Sequence, residues 1–201
     1  MRVVETGLPG VFVVEPDVHR DARGFFFETY HAGKLEAQGL RSRPVQVNQS
    51  RSIRHTIRGL HWQWRRPQAK LVRVLRGEVF DVAVDVRRGS PAFGRWVGMV
   101  LSEDNFRQTY VPEGFAHGFC VLSESADVEY LCSELYDPGG EAGLRWDDPA
   151  VGIDWPVTDP LLSERDRRHP ALDSARPDLP DFRGDATAGL HGGIRERSSR
   201  A

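Results

Sequence analysis

Apolar and polar residues alternate with a period of two along much of the chain, the spacing of half-buried β-strands. Val45-Gln46-Val47-Asn48-Gln49-Ser50 is the cleanest such run. Val11 to Val14 and Phe25-Phe26-Phe27, separated by the polar stretch Asp17 to Gly24, predict two short strands joined by a turn. Leu71 to Leu75 and Val79 to Val86 flank Arg76-Gly77-Glu78, which predicts a hairpin with glycine in its turn. On the second of these strands Phe80, Val82, Val84 and Val86 share one face and Asp81, Ala83 and Asp85 the other, so one side should pack while the other carries acids. Further apolar runs at Phe93 to Leu101, Gln108 to Val111, Phe119 to Leu122 and Val128 to Ser133 are punctuated by Gly89-Ser90-Pro91 and Pro112-Glu113-Gly114. Only His31 to Leu40 and Leu161 to Arg168 read as helical, the latter with Ser163 as cap and Asp166 in its first turn. Many short strands and a few short helices imply a mainly β sandwich or closed barrel, of which the jelly roll manages exposed edges best.

The 201 residues suffice for one domain, expected over 1–174. Ala175 to Ala201 is rich in Arg, Asp, Gly and Ser and is expected to be a disordered tail, its basic cluster near Arg195 to Arg200 a solvated terminus. Lys and Arg total 27 against 29 Asp and Glu, a net charge of -2, which excludes a global field for nucleic acid or anionic membrane. An anionic ligand must therefore be held by local arginines. Met1 to Val14 is neither a signal peptide nor a spanning helix, so a cytoplasmic location is expected. Cys120 and Cys132 sit in apolar runs with no CxxC spacing and are expected to be buried thiols.

Candidate chemistry concentrates between Arg58 and Asp85, where an imidazole, an ammonium and two carboxylates lie among β-branched and aromatic residues. This stretch is expected to form the reactive floor of the barrel. Arg58 and His61 are three apart and would point to opposite faces of an ideal strand. Both reach one pocket only if the register breaks, and Gly59 is the residue that permits a bulge there.

Arg23-Gly24-Phe25-Phe26-Phe27-Glu28, Arg58-Gly59-Leu60-His61-Trp62-Gln63, Gln68-Ala69-Lys70, Pro112-Glu113-Gly114-Phe115-Ala116-His117-Gly118-Phe119, Ile153-Asp154-Trp155-Pro156 and Leu162-Ser163-Glu164-Arg165-Asp166, in this order, resemble the dTDP-4-dehydrorhamnose 3,5-epimerase family. The resemblance runs from about Gly10 to Pro170. It implies a cupin-like jelly roll, a homodimer that exchanges amino-terminal strands, no metal and no other cofactor. It also implies epimerisation of a dTDP-linked 4-keto-6-deoxyhexose at carbons 3 and 5 through an enolate.

Such a reaction needs a base, a cation or donor at the enolate oxygen, and an acid on the opposite face. The resemblance assigns His61 as the base, Asp166 as the acid that orients it, Lys70 as the cation and Tyr130 as the proton donor. Arg23, Arg58 and Arg165 match the family's ligand-binding cations, with Arg165 standing where many members have lysine. Ala69 likewise replaces a glycine common in the family. Gln46, Val47 and Asn48 match contacts to the nucleotide, Glu28, His117 and Glu141 further polar contacts, and Tyr136 the aromatic that stacks on thymine. Pro112-x-Gly114-x-x-His117 also looks like half of a metal cupin's ligand set. The other half is missing, because His61-Trp62-Gln63 supplies one imidazole and Lys70 would repel a metal. Two rivals share these residues: an epimerase that inverts a single carbon, and a sugar-nucleotide-binding jelly roll without activity.

Overall fold

The computed structural model describes residues 1–40 and 43–184. Two antiparallel sheets face each other. The six-stranded sheet runs in the order β1 (Arg2–Glu5), β2 (Phe12–Glu15), β10 (Gln108–Val111), β7 (Lys70–Arg76), β12 (Ser125–Cys132), β5 (Gln46–Ile53). The five-stranded sheet runs β13 (Glu141–Gly143), β6 (Ile57–Gln63), β11 (Phe115–Val121), β8 (Glu78–Asp85), β9 (Trp96–Ser102). This is the jelly-roll sandwich that the strand pattern implied.

The expected hairpin between residues 71 and 86 does not form. β7 pairs with β10 and β12, whereas β8 pairs with β11 and β9 in the opposite sheet. Gly77 is the corner between them: its φ of 79° suits glycine, and a Cβ there would collide with the Ser125 carbonyl. The early strands also pair otherwise than expected. β3 (His19–Asp21) and β4 (Gly24–Phe26) form their own small hairpin, and β2 joins the large sheet between β1 and β10.

Both faces of the five-stranded sheet are covered, so the valine and acid faces of β8 are equally dry; Asp81 and Asp85 are both fully buried. The interior face carries Val79, Phe119 and Val121, which pack against Val72, Val74 and Val128 of the other sheet. The outer face carries Val82, Val84, Leu60 and Trp62, sealed by Trp155, Leu179 and other residues of the long segment after β13. On the outer face of the six-stranded sheet, α1 (Ala32–Ala37) lays Leu35 against Leu71 and Tyr110. Its N-cap is His31, whose Nδ1 accepts from the Lys34 amide at 3.2 Å.

The expected tail divides. Residues 185–201 lie outside the described residues. Residues 175–184 do not stand apart from the domain: Leu179 is buried, Trp62 donates to the Asp178 carbonyl at 2.9 Å, and Phe182 and Arg88 bond through their backbones. Their polar composition misleads because backbone groups, rather than apolar side chains, make most of these ties.

Candidate active site

The interior of the sandwich is apolar at one end and polar at the other. Along β7 the inward residues are Lys70, Val72 and Val74, so the ammonium opens a strand whose remaining inward positions are core. Tyr130 lies opposite Val72 on one side and Asn48 on the other, and Cys132 lies between Lys70 and Gln46. Lys70, Tyr130, Cys132, Gln46, Asn48 and Ser50 therefore share the inward face of one sheet. Facing them, His61 of β6 lies opposite His117 of β11, and His117 opposite Ala83 of β8.

The register between β6 and β11 shifts as the Gly59 argument required. His117 pairs with His61 and Phe119 with Arg58, so three steps on β6 match two on β11. Arg58 and His61 thus share the inward face. Gly59 has a φ of 123°, and a Cβ on it would sit 2.6 Å from the Gly118 Cα. Only glycine fits both the conformation and the approach.

His61 Nε2 lies 2.8 Å from Asp166 Oδ1. An ionised carboxylate only accepts, so Nε2 carries the hydrogen and Nδ1 remains the basic nitrogen. Asp166 is delivered by α2 (Glu164–Arg167), where its amide donates to the Ser163 cap at 3.0 Å. Burial works to raise the Asp166 pKa, but the contacts with His169 and His61 outweigh it and hold the group well below the usual carboxylate range. Burial lowers the His61 pKa, Asp166 opposing it. The imidazole is therefore neutral near pH 7.

Burial also lowers the Lys70 pKa. It pushes the Tyr130 phenol well above its ordinary value, so that group keeps its proton at any neutral pH. The phenol lies 3.1 Å from Ser50 Oγ, and its ring meets the His117 ring edge to face. His117 Nε2 is 2.7 Å from Asp81 Oδ2, a second buried imidazole and carboxylate pair.

Asn48, Gln46, Tyr136, Glu141 and Arg165 form one connected network at the polar rim. Gln46 accepts from the Tyr136 amide at 2.9 Å and donates to Asn48 at 3.0 Å. Tyr136 donates from its hydroxyl to Glu141 at 2.8 Å, and Glu141 binds Arg165, whose Nη2 is 3.4 Å from His61 Nε2. Arg58 donates to Ser52 at 2.8 Å. The Val47 side chain projects from the other face of β5 and is exposed, so only its backbone can serve a ligand in the interior. Arg23 and Glu28 do not join this cluster: Arg23 is paired with Asp21 in the β3–β4 hairpin at 2.6 Å, and Glu28 with Lys34 at 2.9 Å.

Two participants escaped the sequence reading. Asp81 is legible only as one of the acids on one face of β8, and its link to His117 needs the pairing of β8 with β11. His169 is the other; its Nε2 is 3.5 Å from Asp166, its ring lies against the Gly143 backbone, and it meets the His61 ring edge to face. His61, Asp166 and His169 bring three ligand atoms within 4.8 Å of one another. The guanidinium of Arg165, 3.9 Å from the Asp166 carboxylate, disfavours a cation there. A surface cleft of about 630 Å³ lined by Glu36, Arg43, Pro67, Glu113, Ser133 and Glu134 holds none of the site's side chains, and its one cation is already paired with Glu36.

The jelly roll thus carries His61 on one wall and Lys70 and Tyr130 on the facing wall, an arrangement that can exchange protons with a ligand held between them. Residues 5–174 match the family model described as dTDP-4-dehydrorhamnose 3,5-epimerase. The chain is 50% identical over 169 residues to the dTDP-4-dehydrorhamnose 3,5-epimerase of Methanothermobacter thermautotrophicus, covering 83% of this chain and 91% of that one. The crystal structure of dTDP-6-deoxy-D-glucose-3,5-epimerase from Legionella pneumophila, in complex with dTDP-4-keto-L-rhamnose, superimposes with a TM-score of 0.88 at 44% identity, covering 91% and 99% of the two chains. A dTDP-4-dehydrorhamnose 3-epimerase of Streptomyces niveus is 44% identical over 178 residues, covering 88% and 86%. The chain belongs to the dTDP-4-dehydrorhamnose 3,5-epimerase family.

Proposed function

We propose that this protein is an isomerase that epimerises dTDP-4-keto-6-deoxy-D-glucose at carbons 3 and 5, giving dTDP-4-keto-L-rhamnose. The ketone at carbon 4 acidifies the hydrogens on both neighbours, and no cofactor is needed. His61 Nδ1 removes a proton, Lys70 stabilises the enolate oxygen, and Tyr130 returns a proton from the opposite side. The arrangement of His61 on one sheet and Tyr130 on the other, both facing the interior, carries this reading. Asp166 steadies the imidazolium formed on proton removal. His117, whose Nε2 is held by Asp81, keeps Nδ1 to accept a hydrogen bond from a sugar hydroxyl.

Arg58, Arg165, Gln46 and Asn48 bind the nucleotide diphosphate portion, Glu141 supplies a further polar contact, and Tyr136, half exposed, stacks on thymine. Arg23 and Glu28, bonded away from this cluster within one chain, fit a homodimer in which the β3–β4 hairpin reaches the partner's site. The epimerase domain comprises residues 1–174 together with the packed segment 175–184. The Streptomyces niveus relative favours one second reading, inversion at a single carbon, since both reactions use the same groups.

Turnover in deuterium oxide separates the two. Label at carbons 3 and 5 with both centres inverted supports the double epimerase; label at one carbon alone supports the single one; absence of label contradicts both.

A further inference from the structure

The segment Arg176–Phe182 lies beyond the stretch that matches the family model, yet it grips the outside of the sheet behind His61. Trp62 follows His61 on β6 and points outward, and Gly143 is the register partner of His61 on β13. Both are held by the same short segment. The Arg176 guanidinium stacks over the Trp62 ring at 5.0 Å, donates to the Gly143 carbonyl at 3.0 Å, and is itself fixed by Asp178 at 2.7 Å. Trp62 Nε1 donates to the Asp178 carbonyl at 2.9 Å. Further along, the Arg88 amide donates to the Pro180 carbonyl at 2.7 Å and the Phe182 amide to the Arg88 carbonyl at 2.9 Å.

We propose that Arg176–Phe182 is a strap that positions His61, with Arg176 the positioning residue acting through Trp62 and Gly143. None of its side chains is among those that face the interior, so it contributes no group to the chemistry. Its leverage comes from where it attaches. Gly143 is the platform under the His169 ring, and His169 in turn meets both Asp166 and the His61 ring. Fixing the Gly143 carbonyl and the Trp62 indole therefore fixes the backbone on both sides of the imidazole and one neighbour of its carboxylate. A small displacement of a catalytic base is costly, because proton transfer depends steeply on distance and alignment.

The proposal rests on His61 being the base, so its test carries one readout that does not. In the full chain, Arg176→Ala should lower kcat for hydrogen exchange on the keto sugar about tenfold with KM within about twofold. It should also displace the midpoint of the His61 imidazole titration followed by NMR. Trp62→Phe, which keeps a ring under the guanidinium and removes the indole donor, should show a smaller effect of the same kind. Loss of thermal stability with wild-type kcat and an unmoved His61 titration would overturn the proposal and leave the segment a structural tie. If Arg176→Ala does not fold, Trp62→Phe decides on the same readouts. If the wild-type chain does not exchange hydrogen on the keto sugar, the functional reading fails, and the titration alone decides the strap.

Discussion

His61 and His117 stand opposite each other in adjacent strands, and each imidazole is bound to a buried carboxylate, Asp166 at 2.8 Å and Asp81 at 2.7 Å. The two pairs are built differently. Asp81 comes from β8, the strand beside His117, whereas Asp166 arrives on α2 from outside the sheets. A carboxylate carried on a separate element orients the His61 imidazole without occupying the interior face between the sheets.

The pH profile follows from these environments. His61 must be neutral to accept a proton, and burial keeps its pKa below the ordinary value of about 6.5. kcat/KM should therefore hold level near neutrality and fall as pH drops through that lowered value. Lys70, its pKa also lowered by burial, should set a basic limb below its ordinary value of about 10.4. Asp166→Asn removes an anion that raises the His61 pKa, so the acid limb should move to lower pH while the plateau drops by about 10²- to 10⁴-fold. A pH–rate series on both proteins checks the two effects.

Stability should respond to the same carboxylate. The folded pKa of Asp166 is depressed, so its contribution is present above the unfolded value of about 3.9 and is lost as pH falls from there toward the folded value. Asp166→Asn should therefore flatten the acid side of the stability curve measured by urea unfolding. An unchanged acid dependence would remove Asp166 from this role.

Tyr130 should be separable from His61. Tyr130→Phe keeps the ring and removes the hydroxyl that lies 3.1 Å from Ser50 Oγ. Inversion should slow by about 10²- to 10⁴-fold, while exchange of solvent deuterium into recovered substrate persists. NMR of substrate and product in deuterium oxide reads both; equal loss of exchange and inversion would count against a donor on the far side.

Gly59→Ala should damage the fold. The added Cβ would meet Gly118 at 2.6 Å and occupy a φ of 123°. The strained backbone alone should cost roughly 1–3 kcal/mol, and the collision adds to it. Chemical denaturation against wild type measures the loss; an unaltered midpoint would show that the bulge relaxes freely.

Most of the longer strands were legible as alternating or apolar runs, whereas β1, β3 and β13, short and without alternation, were not. The pairing of the strands was not legible either. Gly77 looks the same in a hairpin turn as at the corner where the chain changes sheets, and the difference lies in contacts with Ser125 that no local pattern encodes. The bulge beside Gly59 was readable for a different reason: the shared pocket of Arg58 and His61 imposed a geometric demand, and one nearby residue could meet it. The links of Asp81, His169 and Arg176–Phe182 to the site were hidden because register, ring contacts and backbone hydrogen bonds make them. Most of the remaining candidate site was reached through motif resemblance rather than periodicity, since a lysine opening a strand or a tyrosine within one carries no local mark of its neighbours.

His61→Ala decides whether the imidazole of His61 performs the proton removal. Solvent deuterium exchange on dTDP-4-keto-6-deoxyglucose should be abolished while dTDP affinity stays within about an order of magnitude, since His61 is not among the side chains proposed to bind the nucleotide. Deuterium entering carbon 3 or carbon 5 at near the wild-type rate in that variant would contradict the account.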